Sequence, residues 1–306
     1  MASSVVGLGL CVVDHCYLVD DLAGSPERMR YRERRVFAGG MVGNAIRQVA
    51  ALGCKAHVLS GLGDDAEGRF VRSELEAAGV GTRGLLHSER LETTVAVVLV
   101  DRRTGERRFV VPDRRGLEAR SPAFDLDEVD RCRVLMVDGH FPAEALRAVR
   151  RARAAGARVV GDFHRMTPRI ARLLPHVDHA IVSEEFVAAS GYANPREALR
   201  ALAEATRGQP VVTLGSRGGL TLAGRRFRRV AARRARVVDT TGAGDAFHGA
   251  VAAGLVWGLD FAACLELGAR AAARNCTAPG ATGRLMTRDE VPVALRPAGP
   301  RSRRGR

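Results

Sequence analysis

Lysine is almost absent from this chain: among the 48 basic residues that help to give it a formal net charge of +14, Lys55 is the single lysine. A charge of this size ordinarily indicates a polyanionic partner such as nucleic acid. Here nearly all of the basic residues are arginines, which is the pattern that a GC-rich genome produces, and the sequence contains no recognised nucleic-acid-binding motif. These observations weaken the indication of a nucleic-acid partner, which stays open through the basic segment at residues 296–306.

Long apolar runs and closely spaced cysteine pairs are also missing. No run approaches the ~18 uninterrupted apolar residues of a membrane span, and the N-terminus lacks the charged segment and apolar core of a signal peptide. The six cysteines lie scattered, without the spacing of a zinc site or the density of a disulfide scaffold. We therefore expect a cytoplasmic protein with reduced thiols and no membrane partner.

The sequence does contain enough apolar material, 46% of its 306 residues, for one large α/β domain with room for a small appendage. From residue 133 onward strands and helical patterns alternate, which predicts a parallel sheet with helices on both faces. The predicted strands are residues 134–137, 159–160, 179–182 and 211–214, and the predicted helices are residues 142–155 and 195–206. Residues 296–306 are basic and lack an apolar face, so we expect a disordered tail after a domain that spans residues 1–295.

The strongest chemical signal is a glycine-rich string late in the chain, Asp239-Thr240-Thr241-Gly242-Ala243-Gly244-Asp245-Ala246-Phe247. It follows the apolar pair 237–238, which we expect to be a short strand, and it leads into a helical pattern. A glycine turn at a helix start presents unpaired N–H groups and the positive end of the helix dipole, which together attract an anion. Asp245 fits such a site as a base that deprotonates a substrate hydroxyl, while the N–H groups hold the charge of a transferred phosphoryl group. The alternative is structural, with Asp245 as a helix cap.

This string resembles the C-terminal signature of the ribokinase-like (PfkB) family of sugar and nucleoside kinases. Ala38-Gly39-Gly40-Met41-Val42-Gly43-Asn44-Ala45 resembles the N-terminal signature of the same family, and the resemblance spans about residues 5–285. It implies a ribokinase-like three-layer α/β/α sandwich with a mainly parallel sheet and a small β-sheet lid. The lid strands are expected at about residues 14–38 and 93–112, inserted into the kinase domain.

The resemblance also implies roles for individual residues. Asp245 would be the catalytic base, and Gly242, Ala243 and Gly244 would form the anion hole. The residues implied to bind the sugar are Asp14, Gly39, Gly40 and Asn44. The apolar run at residues 5–13 predicts a buried strand that ends on Asp14, which would put its carboxylate at the ligand-binding edge of the sheet. A loop-capping role for Asp14 is the alternative.

The lid prediction depends on two polar, strand-like regions. Residues 28–37 alternate and are strongly polar, which indicates an exposed strand, and residues 93–101 and 106–111 indicate a hairpin. Lids of this family often pair with a second subunit, so the resemblance implies a homodimer through the lid. Because alternate strand residues face opposite sides, some lid arginines should face the sugar; we assign Arg108 to the substrate site and hypothesise an anionic group on the sugar. The competing explanation is the arginine bias of the whole chain.

The resemblance implies ATP and Mg²⁺ as cofactors, and it leaves open a monovalent cation such as K⁺. The residues implied to bind the nucleotide are Thr213, Gly215, Ser216, Gly218 and Asn275. Mg²⁺ prefers one or two carboxylates with waters and phosphate oxygens, so Asp162 and Glu184, each just past a predicted strand, are candidate ligands. Their alternative is an ordinary loop carboxylate. The family's Asn-x-x-Glu motif is broken here, since Ser183 replaces its Asn and Phe186 its Glu.

Together these features predict an ATP-dependent kinase that phosphorylates a primary hydroxyl of a small sugar or sugar derivative. Among the branches of the family, the segments around residues 178–186, 245–250 and 275–280 are most similar to sulfofructose kinase, with some likeness to ketohexokinase. A nucleoside kinase is the nearest alternative, and it would need an apolar or aromatic slot under the lid. A non-catalytic protein that binds sugar or nucleic acid is the alternative from a different class.

Overall fold

The computed structural model describes residues 4–22, 29–104, 106–112 and 123–297. The strands in these ranges are β1 Ser4–Leu8, β2 Val12–Val19, β3 Tyr31–Gly39, β4 Lys55–Gly63, β5 Gly81–Ser88, β6 Val95–Asp101, β7 Arg107–Val110, β8 Val134–Val137, β9 Arg158–Phe163, β10 His179–Ser183, β11 Val211–Thr213, β12 Gly219–Ala223 and β13 Arg226–Val230. The α-helices are α1 Met41–Ala51, α2 Ala66–Ala77, α3 Asp127–Arg131, α4 Pro142–Ala154, α5 Pro168–Leu173, α6 Glu184–Ala189, α7 Pro195–Ala205, α8 Ala243–Trp257 and α9 Phe261–Asn275. The tail predicted at residues 296–306 lies outside the described residues from 298 onward.

The larger sheet has nine strands in the order β13-β12-β11-β10-β9-β8-β1-β4-β5. The strands from β11 to β5 are parallel, whereas β12 and β13 at one edge are antiparallel. Every residue of the central strand β1 is buried, as expected for a parallel strand with helices on both faces. The predicted α/β fold with a mainly parallel sheet is confirmed.

Alternate residues of the sheet enter two separate apolar layers, because successive side chains of a strand point to opposite faces. On one face Val6 packs with residues of α4 to α7, and on the other face Val5 packs with residues of α1, α2, α8 and α9. The sheet therefore lies between two layers of helices, which makes the three-layer sandwich. Among the described residues, no helix is long and apolar enough to cross a membrane. All six cysteines are free thiols.

The smaller sheet, called the lid below, has four strands in the order β3-β2-β6-β7. Strand β2 pairs antiparallel with β3 and parallel with β6, and β6 and β7 form an antiparallel hairpin. The hairpin predicted between residues 93 and 111 is present. The exposed strand predicted at residues 28–37 corresponds to β3, whose first six residues are exposed.

The apolar run at residues 5–13 forms parts of two strands, so the prediction of a single buried strand is wrong. Strand β1 ends at Leu8, and two residues later the N–H of Leu10 donates to the carboxylate of Asp138 at 2.7 Å instead of continuing the sheet. The chain then enters the lid as β2, and Asp14 therefore lies on a lid strand. The boundary escaped prediction because the residues on both sides of the turn are buried and apolar.

The apolar pair Val237 and Val238 does not form the predicted strand. Their side chains are 61% and 59% exposed, and the N–H of Val238 donates to the carbonyl oxygen of Cys276 at 2.8 Å, at the end of α9. This segment follows the edge strand β13 and runs along the surface to the start of α8. Two neighbouring valines are thus not sufficient to predict a strand.

Candidate active site

Helix α8 begins at a glycine in the left-handed region, Gly242, with φ +72°. A Cβ atom at this position would overlap the carbonyl oxygen of Ala281, and residues with a Cβ rarely adopt this φ. Asp245 is the third residue of the helix, and no side chain caps the helix start. The helix-cap interpretation of Asp245 is therefore wrong.

The turn at the start of α8 presents two N–H groups without partners. Within the described ranges, the N–H groups of Gly244 and Asp245 donate to no other group, whereas the N–H of Ala243 makes a long hydrogen bond of 3.3 Å to the carbonyl oxygen of Thr240. Free N–H groups at a helix start, together with the helix dipole, attract an anion. We call residues 242–245 the anion turn.

The Asp245 carboxylate is held from the other side by Asn44 of α1, whose Nδ2 donates to its Oδ2 at 2.8 Å. Burial, followed by the nearby charge of Asp162, raises the pKa of Asp245 to about 7, although Asn44 and His248 oppose the shift. The other amide atom, Oδ1 of Asn44, is buried and has no hydrogen-bond partner among the described residues. The predicted pair Asn44 and Asp245 is thus in direct contact, with one acceptor left over.

His248 of α8 contacts the anion turn, and the predicted site residues did not include it. Its Nδ1 is 2.7 Å from the carbonyl oxygen of Gly244 and 3.4 Å from Oδ2 of Asp162, and its Nε2 is 2.9 Å from the carbonyl oxygen of Ile181. Burial alone would lower the pKa of His248, but the Asp162 carboxylate and the two carbonyl groups raise it. The signal in the sequence was its place one helical turn after Asp245.

A cavity of about 190 Å³ lies between the lid and the segments around Asp239 and Gly280. The residues that line it come from all four lid strands and from these two segments: Asp14, Cys16, Leu18, Glu33, Arg35, Phe37, Val98, Val100, Arg107, Phe109, Asp239, Thr241, Pro279, Gly280 and Ala281. Among the predicted sugar-binding residues, Asp14 lines this cavity, and burial raises its pKa to about 6. Asn44 and Asp245 lie outside the lining.

The two predicted glycines, Gly39 and Gly40, lie between the lid and α1. A Cβ atom at Gly39 would overlap the carboxylate of Asp14, and Gly40 occupies the N-cap of α1. The absence of side chains here leaves room for the Asp14 carboxylate and for the passage of the chain from β3 into α1. The structure therefore places Gly39 and Gly40 at the junction of lid and helix, with Gly39 against the Asp14 carboxylate.

Two adjacent arginines of β7 have opposite orientations, and the one predicted to bind the substrate, Arg108, faces away from the cavity. The side chain of Arg107 lines the cavity and forms an ion pair with Asp239. That of Arg108 is 57% exposed and lies 3.5 Å from the Glu106 carboxylate. Because side chains alternate along a strand, a register error of one residue moves the guanidinium from the cavity to the solvent. Arg108 is therefore not part of this cavity, and Arg107 is.

Arg35 of β3 also lines the cavity, where its Nε donates to the Glu33 carboxylate at 2.6 Å. Both arginines of the cavity thus have a carboxylate partner, and Asp14 adds a further acidic group. Much of the remaining lining is apolar, with Phe37 and Phe109 as its aromatic residues. The hypothesis of an anionic sugar loses support, because both guanidinium groups already pair with a carboxylate of the protein.

Asp239, the first residue of the glycine-rich string, connects three segments. Its Oδ1 accepts the N–H of Thr241 at 2.7 Å and its Oδ2 accepts the N–H of Gly280 at 2.9 Å, while Arg107 reaches it from the lid. Burial favours the neutral carboxyl, but the two N–H groups and then Arg107 lower the pKa of Asp239. An ionised Asp239 therefore joins the lid to the segment that precedes the anion turn.

Asn275, the last residue of α9, contacts the segment that precedes the anion turn. It is fully buried, and its Nδ2 donates to the carbonyl oxygen of Thr241 at 2.7 Å. Its Oδ1 is buried without a hydrogen-bond partner among the residues that the structure describes. Asn275 therefore lies next to the anion turn, where a nucleotide-binding role was predicted for it.

The other predicted nucleotide-binding residues lie at the end of β11. Thr213 is the last residue of this strand, and residues 215–217 form a short 3₁₀ turn that leads to Gly218 and into β12. The side chain of Ser216 is exposed. A Cβ atom at Gly218 would overlap the carbonyl oxygen of Val230, so the turn packs tightly on β13.

The two predicted magnesium ligands have different neighbours. Asp162 is next to His248, and burial raises its pKa. Glu184 forms an ion pair with Arg217 at the surface, with 51% of its side chain exposed. Throughout the described parts of the chain, no group of three or more His, Cys, Asp or Glu side chains could hold a metal ion. A metal would therefore need most of its ligands from a substrate or from water.

Residues 2–288 match the model of the pfkB family of carbohydrate kinases. Mouse ketohexokinase is 22% identical to this chain over 91% of it and 98% of its own length, and the ribokinase of Bacillus subtilis strain 168 is 25% identical over 94% and 98%. The structure of Arabidopsis thaliana ribokinase complexed with ribose and ATP superimposes with a TM-score of 0.83 at 24% identity, over 96% of this chain and 99% of that one. An E. coli protein solved in complex with ATP and Mg²⁺ superimposes with a TM-score of 0.78 at 22% identity, over 95% and 97%. The chain belongs to the pfkB family of carbohydrate kinases, and it is an ATP-dependent sugar kinase.

Proposed function

We propose that this enzyme transfers the terminal phosphoryl group of ATP to a primary hydroxyl of a small sugar or sugar derivative, with Asp245 as the general base. One observation carries the proposal. The Asp245 carboxyl, with a pKa raised to about 7, lies in the same helical turn as two N–H groups that have no acceptor in the described residues. A base whose pKa is near neutral pH, beside donors for a developing negative charge, is the arrangement that phosphoryl transfer requires.

Asn44 and Asp14 orient the sugar in this proposal. The buried, unpartnered Oδ1 of Asn44 accepts one sugar hydroxyl, which removes the cost of a buried polar atom without a hydrogen bond. Asp14 accepts a second hydroxyl, and Gly39 and Gly40 allow the sugar to approach the backbone. The attacking hydroxyl then gives its proton to Asp245 while its oxygen bonds to the terminal phosphorus and the bond to the ADP oxygen breaks.

The anion turn stabilises the transferring group. The N–H groups of Gly244 and Asp245 donate to its oxygens, and Gly242 holds the turn in the required backbone conformation. The N–H of Ala243 contributes if it leaves the long hydrogen bond to Thr240. Donors that point to the charge before the reaction begins lower the barrier because little has to reorganise.

We assign the nucleotide to the face formed by the end of β11 and the end of α9, with the residues Thr213, Gly215, Ser216, Gly218 and Asn275. Mg²⁺ accompanies the phosphates, and since no group of three or more His, Cys, Asp or Glu side chains in the described residues could hold a metal ion, nucleotide oxygens and water would supply most of its ligands. Asp162 would hold it through water, whereas Glu184 would first have to leave Arg217. When bound, the metal neutralises charge on the phosphates. A K⁺ ion near Asp239 stays a prediction, and Arg107 already provides a positive charge there.

We also propose a homodimer through the lid. Tyr31, Val36 and Val110 of the lid are large apolar residues with exposed fractions of 57%, 36% and 61%. Exposed apolar residues on one small sheet are typical of an interaction surface. Sedimentation or light scattering measures the oligomeric state directly. The cytoplasmic location stays a prediction.

A nucleoside kinase is the second candidate, and the lining of the cavity favours it. A nucleobase needs an apolar or aromatic slot, and Phe37, Phe109, Val98 and Val100 provide such a surface under the lid. The lining contains two arginines, Arg35 and Arg107, whereas Arg32, Arg34 and Arg108 of the lid strands are absent from it.

The test is a screen of ATP consumption against neutral sugars, sugar phosphates, sulfosugars and nucleosides, with Asp245→Asn as the control for contaminating kinases. We expect turnover with a neutral sugar and its loss in the variant. Turnover with nucleosides alone would support the second candidate. No turnover with any compound, together with sugar binding in calorimetry, would support a non-catalytic sugar-binding protein.

A further inference from the structure

His248 has backbone carbonyl groups at both of its ring nitrogens, Gly244 at 2.7 Å and Ile181 at 2.9 Å. A carbonyl oxygen can only accept, so both contacts are hydrogen bonds only when each ring nitrogen carries a hydrogen. The residue is 4% exposed, which leaves no room for bulk water to replace either partner. The imidazole therefore bridges the carbonyl groups of Gly244 and Ile181.

One end of this bridge acts on the anion turn. The carbonyl of Gly244 and the N–H of Asp245 belong to the same peptide group, and that N–H has no acceptor in the described residues. Donation to the oxygen of a peptide group polarises it, which makes its N–H a stronger donor. His248 therefore strengthens a donor of the anion turn without touching the group that this donor would bind.

The other end fixes the turn in space. Ile181 lies in β10, which pairs on one side with β9 and on the other with β11 in the middle of the large sheet. A hydrogen bond from α8 to this strand ties the first turn of the helix to the sheet. Charged groups also surround the ring: Asp162 of β9 is 3.4 Å from Nδ1, and Asp245 and Asp138 lie close to Asp162.

We infer that His248 is a positioning residue for phosphoryl transfer, which aligns the anion turn with the large sheet and polarises the Gly244–Asp245 peptide. The inference rests on the proposed function, because it takes the N–H of Asp245 to be part of the anion hole. It adds a residue that does not line the cavity under the lid.

The experiment compares His248→Leu, which fills the space without a donor, with His248→Asn, which keeps an N–H near the Gly244 carbonyl. We expect His248→Leu to lower kcat by about 10- to 100-fold, somewhat less than the loss of a whole anion-hole donor, with KM for sugar and ATP changed by less than about threefold. His248→Asn should recover part of kcat. The matched control is His179→Leu, which removes another buried imidazole hydrogen-bonded to a carbonyl, that of Gln209, at 3.2 Å. It should lower thermal stability and leave kcat unchanged.

Equal kcat in the wild type and His248→Leu would overturn the inference, and so would a rise in KM that accounts for the whole loss of kcat/KM. An equal loss of kcat in His179→Leu would also overturn it, since destabilisation alone would then explain the effect. If the wild type turns over no substrate, the proposed function fails separately. The variants are then compared by calorimetry of orthovanadate binding in the presence of ADP and Mg²⁺, where the inference requires weaker binding to His248→Leu than to the wild type and His179→Leu.

Discussion

The anion turn and the lid both contribute to the site, but the chain specifies them differently. In the anion turn, the backbone of Gly242 and the position of Asp245 three residues later are local properties of one short string. In the lid, the role of a side chain depends on which face of a strand it occupies, and the pairing of four strands decides that. A turn of this kind can therefore be recognised from its own residues, whereas a lid residue cannot be assigned until the register is known.

The largest expected effect is in the anion turn. Asp245→Asn should keep the fold and ATP binding but lower kcat by about 10²- to 10⁴-fold, which is the usual contribution of a positioned base. The measurement is steady-state kinetics, with circular dichroism and ATP calorimetry as controls for folding and binding. Turnover close to that of the wild type would show that Asp245 is not the base. The anion turn would then not be an example of a site recognised from its own residues.

The backbone of the turn should matter nearly as much as its carboxylate. Gly242→Ala forces a Cβ atom onto the carbonyl oxygen of Ala281 at a φ of +72°, so we expect kcat to fall by about 10²-fold as the donors move. The matched control is Gly258→Ala at the other end of α8, where φ is +77° but no atom lies within 4 Å of the added Cβ. Both variants should lose about 1–2 kcal/mol from backbone strain, and only the first should lose activity.

The pH dependence of kcat/KM tests the role of Asp245 as the base. Because the pKa of Asp245 is raised to about 7, the base is protonated below that pH, and kcat/KM should fall about tenfold per unit as the pH decreases from about 7 to about 5. The sign for stability is opposite: because the pKa of Asp245 is raised from 3.8 to about 7 in the folded state, the folded protein loses stability progressively as the pH rises from 3.8 to about 7. The thermal stability of Asp245→Asn relative to the wild type should therefore increase over this range and stay level above a pH of about 7. An inflection in kcat/KM near the ordinary pKa of an exposed carboxyl, 3.8, would contradict the assignment.

The sequence predicted most of the fold because the strands and helices of the large sheet carry clear apolar patterns. It failed where burial hides a boundary, as between β1 and β2, and where a short apolar pair bonds to the end of a helix instead of a strand, as at residues 237–238. In the site, the glycine strings indicated Asn44 and Asp245, which contact each other directly. The spacing from Asp245 places His248 on the same side of α8, but its contact with β10 could not be predicted, because Ile181 lies far away in the chain.

The smallest expected effect is in the lid, where two neighbouring arginines provide a test of register. Arg107 is 22% exposed and pairs with Asp239, which is 17% exposed, so Arg107→Gln leaves a mostly buried carboxylate without its cation. Asp239 also accepts the N–H groups of Thr241 and Gly280, and its displacement would disturb the segment before the anion turn. We expect kcat/KM to fall about tenfold, equivalent to about 1.4 kcal/mol.

Arg108→Gln is the matched variant, since it changes the same side chain one residue away. Arg108 and Glu106 are each 57% exposed, and ion pairs at such a surface contribute little, so kcat/KM should change by less than about twofold. The two variants are measured at low and high salt, because a half-buried ion pair is screened less than an exposed one. If Arg108→Gln has the larger effect, the cavity face of β7 is the opposite of the one described, or the outer face of the lid serves the site through a second subunit. Equal, small effects in both variants would mean that the ion pair of Arg107 with Asp239 is not needed to hold the segment before the anion turn.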